Sequence, residues 1–112
     1  MVGQGKTSLA VALGSYCQYL RKKDDSEVTL LFVCSLEHVR HQVGKLLYNS
    51  DISFAIAVRY EKFLRIINNF RFKNEKSPLI ILTDYKSALN LLIAKKKEYI
   101  LFIDEPTVGA DT

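Results

Sequence analysis

The chain has no run of about eighteen apolar residues, and no amino-terminal segment in which a charged start leads into an apolar core. The first absence excludes a transmembrane helix and the second a secretory leader, so the sequence reads as soluble and intracellular, in cytoplasm or nucleus, with no membrane partner. Cysteine is scarce. The two present, Cys17 and Cys34, lie far apart and match no metal-site spacing, which excludes a disulfide framework and leaves two reduced, partly buried thiols. Glycine is scarce as well, with five in all and none between Gly44 and Gly109. No internal repeat, low-complexity tract or linker-like stretch divides the sequence.

What is present suits one small domain. Of 112 residues, 48 % are hydrophobic and 11 % aromatic, enough for a core and too apolar for designed disorder. The formal charge of +4 permits an anionic partner such as nucleic acid or ATP, although plain soluble domains carry the same balance.

Hydrophobic periodicity predicts alternating helices and strands. A first helix should run from about Lys6 to Lys22, burying Leu9, Leu13, Tyr16 and Leu20 and ending in the basic Arg21, Lys22 and Lys23, which suit the carboxyl end of a helix dipole. The apolar stretch from Val28 to Cys34 predicts a strand. A helix from about Leu36 to Tyr48 should bury Leu36, Val39, Val43, Leu46 and Leu47 and turn Glu37, Arg40, His41 and Lys45 outward, with His38 also at the surface. A strand at Ser53 to Val58, a short helix between Tyr60 and Phe70 and a polar, basic connection from Arg71 to Pro78 follow. Leu79 to Leu82 is a third strand, Tyr85 to Lys96 a helix with Ala88, Leu89 and Leu92 inward, and Tyr99 to Ile103 a last strand. Such alternation implies βαβ units: an α/β fold with a mainly parallel sheet flanked by helices.

Two stretches carry chemistry. Met1-Val2-Gly3-Gln4-Gly5-Lys6-Thr7-Ser8 reads as the second half of a phosphate-binding loop of the form G-x-x-x-x-G-K-[ST] running into a helix. In such a loop, backbone N–H groups and the helix start cradle phosphates, the lysine neutralises their charge and the hydroxyl holds Mg²⁺. Gly3, Gln4, Gly5, Lys6, Thr7 and Ser8 are therefore the candidate ATP-binding residues. The leading glycine of the motif would fall one place before Met1, so the sequence reads as incomplete at both ends, beginning inside its own site. The second stretch, Tyr99 to Glu105, is an apolar run closed by two carboxylates, as in a buried parallel strand that presents charge at its carboxyl end. Asp104 would bind Mg²⁺ together with Thr7, and Glu105 would orient or deprotonate the attacking water, making Lys6 and Glu105 the candidate catalytic pair. The blander readings are a free amino terminus before an ordinary helix, and a strand ending in a solvated acidic turn.

Gly5-Lys6-Thr7 and Asp104-Glu105, 98 residues apart from Lys6 to Asp104, resemble motifs I and II of a superfamily 2 helicase or Swi2/Snf2-like DNA-dependent ATPase. Ser35 to Gln42 is similar to motif Ia in position and closing Gln, with Ser35 and Glu37 replacing the usual Pro and Arg. Thr83-Asp84-Tyr85 is similar to the Thr-x-Tyr after the corresponding strand. The resemblance covers the chain from the remnant of motif I to motif II. It implies a partial RecA-like P-loop domain over residues 1–112, with ATP and Mg²⁺ as cofactors and nucleic acid as partner through the parent motor. It also implies Ser35, Arg40 and Thr83 as phosphate contacts, whose plainer roles would be a helix N-cap, a solvated helix residue and a strand end. A second motor domain and its arginines would complete the ATP site, and without them the rate falls by roughly 10³ to 10⁵. The expectation is a fragment with little activity alone. Asp104 to Asp111 is also close to the Walker B and D-loop wording of ABC-type ATPases, but those need a glycine-rich signature shortly before that strand, where this sequence has no glycine. Another P-loop ATPase and a non-enzymatic remnant or interaction protein are the alternatives.

Overall fold

The structure, a computed structural model, describes residues 2–58, 77–94 and 98–104, with side chains from Ser8 onward. The described residues form, in order, α1 (Val2–Asp24), β1 (Thr29–Val33), α2 (Glu37–Asn49), β2 (Phe54–Ala57), β3 (Ile80–Thr83), α3 (Tyr85–Ala94) and β4 (Tyr99–Ile103). The expected helix between Tyr60 and Phe70, the connection from Arg71 as far as Lys76, Lys95 to Lys97 and Glu105 lie outside the described residues. All four strands are parallel and stand in the order β2-β3-β1-β4. The α/β fold with a parallel sheet is thus as the periodicity implied.

The central strands explain why the core forms where it does. β1 is buried at every position, as a parallel strand covered on both faces must be. Its alternate residues serve different layers. Leu30 and Phe32 join Ile80 and Leu82 under Ala10 and Cys17 of α1 and Val43 and Leu47 of α2. Leu31 and Val33 face the other way, with Ile81 and Ala57, against Ala88 and Leu91 of α3. Burying one such aliphatic side chain stabilises the fold by about 1.5–3 kcal/mol, so this double layer supplies most of the driving force.

Three expectations are corrected. α1 begins at Val2 rather than near Lys6, so the backbone of Gly3, Gln4 and Gly5 is helical instead of looped. The buried stripe of α1 is Ala10, Gly14 and Cys17, while Leu9 and Tyr16 are exposed. Small residues win because the helix lies close on the sheet: a Cβ on Gly14 would stand 2.9 Å from both Ile52 and Ile80. On α3, Ser87, Ala88 and Leu91 turn inward and Leu89 outward, and Leu36 before α2 is exposed.

Arg21 fixes α1 to the sheet. Its guanidinium donates to the carbonyls of Val28 at 2.8 Å, Ser77 at 2.9 Å and Pro78 at 2.9 Å, and to the hydroxyls of Thr29 and Ser77 at 3.1 Å each. These acceptors lie where β1 and β3 begin. The carboxyl end of α1 is therefore at the amino-terminal edge of the sheet, and the helix runs back along the strands toward their carboxyl ends.

Candidate functional site

That direction sets which residues can meet. Gly14 packs against Ile80, the first residue of β3. From Ile80 to Thr83 the strand advances about 10 Å at roughly 3.3 Å per residue. A helix at 1.5 Å per residue covers that length in about seven residues, which brings the backbone near Thr7 level with the carboxyl-terminal rim of the sheet.

The rim is held by hydrogen bonds between strand ends. The amide of Cys34 donates to the Thr83 carbonyl at 2.9 Å, and that of Asp104 to the Val33 carbonyl at 2.7 Å. Ser35, Thr83 and Asp104 therefore lie along one edge. Thr83 is fully buried and ends β3, Asp104 is buried directly after β4, and Ser35 is exposed. Beyond β1 the chain departs into α2 on one face of the sheet, and beyond β3 into α3 on the other. Adjacent parallel strands whose exits diverge in this way open a crevice at their carboxyl ends, the usual place for a ligand in an open α/β sheet. Ser35 and Asp84 stand at its two sides. Asp84 also caps α3, its carboxylate accepting from the Ser87 amide at 2.8 Å, and the Ser87 hydroxyl donates to the Val58 carbonyl.

Arg40 differs most from its sequence reading. It is 6 % exposed rather than outward, because the carbonyl of Cys34, at the end of β1, takes a charge-assisted bond from its Nη1 at 2.6 Å. Its Nε is sealed from solvent and has no partner. Ser35 does not serve as the N-cap of α2: that place is held by Leu36, in extended conformation and without a side-chain cap bond. His38 and His41 are exposed as expected, with His41 Nε2 at 3.7 Å from Glu37. Cys17 and Cys34 are both buried free thiols. Burial pushes the Cys17 thiol above its ordinary pKa, with the nearby Arg21 charge opposing in part.

The nominated phosphate residues Gly3, Gln4, Gly5, Lys6 and Thr7 all fall in α1, with Ser8 exposed on it, and Glu105 lies outside the described residues. No cluster of three metal-ligating side chains exists among the described residues. A buried carboxylate such as that of Asp104 is nevertheless compatible with Mg²⁺, which commonly takes one or two protein carboxylates and completes its shell with water and substrate phosphates. No described helix is long and apolar enough to cross a membrane. Fold and rim thus define an α/β protein with a parallel sheet whose β1 and β3 exit to opposite faces at the carboxyl edge. No family model, curated protein or solved structure matches the chain.

Proposed function

We propose that this chain is the ATP-binding portion of a nucleic-acid-dependent ATPase of the RecA-like P-loop kind. The observation that carries the reading is the position of Asp104: a buried carboxylate at the end of a parallel strand, bonded through its amide to β1 at the carboxyl edge of the sheet. In this reading Lys6 neutralises phosphate charge, Gly3, Gln4, Gly5 and Ser8 line the nucleotide, and Thr7 and Asp104 hold Mg²⁺. Glu105 orients the water. The metal supplies charge neutralisation on the transferring phosphoryl group, and this chain's own task is to bind and orient. Ser35, exposed beside the crevice, serves the nucleic-acid backbone, whereas Thr83, fully buried, does not reach it. The helical start of α1 implies that its first turn opens into a loop when phosphate is bound, so that its N–H groups turn to the ligand.

The test is a titration of a fluorescent Mg²⁺-ATP analogue with and without a short single-stranded oligonucleotide. Coupled binding, in which each ligand changes the affinity of the other by the same factor, is the expected result. Nucleotide binding indifferent to oligonucleotide would favour a P-loop ATPase with no nucleic-acid role. Absence of nucleotide binding would favour a non-enzymatic interaction protein.

A further inference from the structure

The burial of Arg40 points to a role other than direct contact with a ligand. Its guanidinium spends Nη1 on the Cys34 carbonyl at 2.6 Å, and its Nε, closed off from solvent, cannot meet a group outside the protein. Cys34 is held from both sides. Its amide donates to Thr83 of β3, its carbonyl accepts from Arg40, and its thiol lies 3.8 Å from the Leu36 carbonyl, which in turn accepts the Arg40 amide at 3.1 Å. One buried side chain thus ties the last carbonyl of the β1 segment to the second turn of α2, with exposed Ser35 and the uncapped first turn of α2 strung between the two anchors.

We infer that Arg40 is a positioning residue: it fixes the Cys34-Ser35-Leu36 segment and the first N–H groups of α2 at the crevice for a phosphodiester without touching it. The inference rests on the nucleic-acid reading above and refines it, because that reading by itself would place Arg40 on a phosphate. Replacing Arg40 by an apolar residue removes a buried, unpartnered Nε but also deprives the buried Cys34 carbonyl of this donor, two effects that oppose each other in stability. The consequence is geometric. Without the guanidinium, the Cys34 carbonyl loses this donor and the segment loses its tie to Arg40.

The experiment compares the full chain with Arg40→Met and Arg40→Lys, measuring affinity for a fluorescent single-stranded oligonucleotide across a salt series, together with thermal midpoints and amide exchange at Ser35, Leu36 and Glu37. Expected for Arg40→Met is an affinity about tenfold weaker in a protein that remains folded, with an unchanged slope of log K against log salt because no phosphate contact has been removed. Arg40→Lys, which keeps a donor and the charge, should recover part of the affinity. A salt slope reduced by about one unit in Arg40→Met would mean a direct phosphate contact and would overturn the inference. If the parent binds no oligonucleotide, the nucleic-acid reading fails, and amide exchange decides on Arg40 alone. Faster exchange at Ser35 to Glu37 in Arg40→Met supports the anchoring role, and unchanged exchange refutes it.

Discussion

Replacing Arg21 by Met should show how strongly one side chain holds α1 to the sheet. The substitution keeps much of the apolar stem and removes five donated hydrogen bonds, three of them to the carbonyls of Val28, Ser77 and Pro78 at 2.8 to 2.9 Å. A bond from a charged donor contributes about 1.5–3 kcal/mol, so three at the lower figure give about 4.5 kcal/mol. Arg21 is only half-buried, and water can reach some of the freed carbonyls, which lowers the expected loss to about 3 kcal/mol. Against a total stability of about 5–15 kcal/mol that is a large fraction. Arg21→Lys keeps the charge but not the fork, and should lose about half as much. Urea unfolding followed by far-ultraviolet circular dichroism measures both. A change below about 0.5 kcal/mol for Arg21→Met, the range of ordinary surface substitutions, would refute the claim that Arg21 anchors the helix.

Other outcomes follow from the packing and the thiols. Gly14→Ala gains about 1 kcal/mol of helix propensity but forces its methyl to within 2.9 Å of Ile52 and Ile80, an overpacking that costs about 1–3 kcal/mol, so a net loss of about 1 kcal/mol is expected in the same urea assay. At Gly44 the nearest atom is the edge of the Phe54 ring at 3.0 Å, on a half-buried side chain that can turn aside, and Gly44→Ala should fall within about 0.5 kcal/mol of the parent. Cys17, buried and with its pKa raised, should stay a neutral thiol at pH 7 and react with a thiol reagent only as fast as the chain opens, whereas urea should make labelling immediate. Because the folded-state pKa is the higher one, the folded protein binds the more protons. The Cys17 contribution to stability is then complete below the ordinary thiol value and is lost as pH rises above it toward the folded value, which pH-dependent urea midpoints would reveal.

Much of the fold was legible because its strands are apolar throughout. Thr29–Val33, Ile80–Thr83 and Tyr99–Ile103 all lie within a residue of the expected runs, and their parallel pairing follows from the helices between them. Strand order was not legible: that β3 inserts between β2 and β1 depends on the crossovers, which leave no local signal. Helix faces were misread where packing reverses simple hydrophobicity. In α1 the large Leu9 and Tyr16 flank a closely packed stripe of Ala10, Gly14 and Cys17, and a search for bulky residues finds the flanks. Arg40 was read as solvated and Arg21 as part of a basic helix end suited to the dipole, yet each turns to carbonyls at strand ends. At the site, Ser35, Thr83 and Asp104 share one rim because all three follow or end strands that the apolar runs made legible. The α1 boundary escaped the motif reading, because a Gly-Lys-Thr triplet has two available backbones, loop and helix, and the sequence alone does not choose between them.

The central claim is that the start of α1 and Asp104 form a nucleotide site. Calorimetric titration of Mg²⁺-ATP into the folded chain, with Lys6→Ala as control, tests it most directly. The account predicts saturable binding by the parent that is lost in Lys6→Ala. Equal binding by both proteins, or none by a parent shown to be folded, would contradict it.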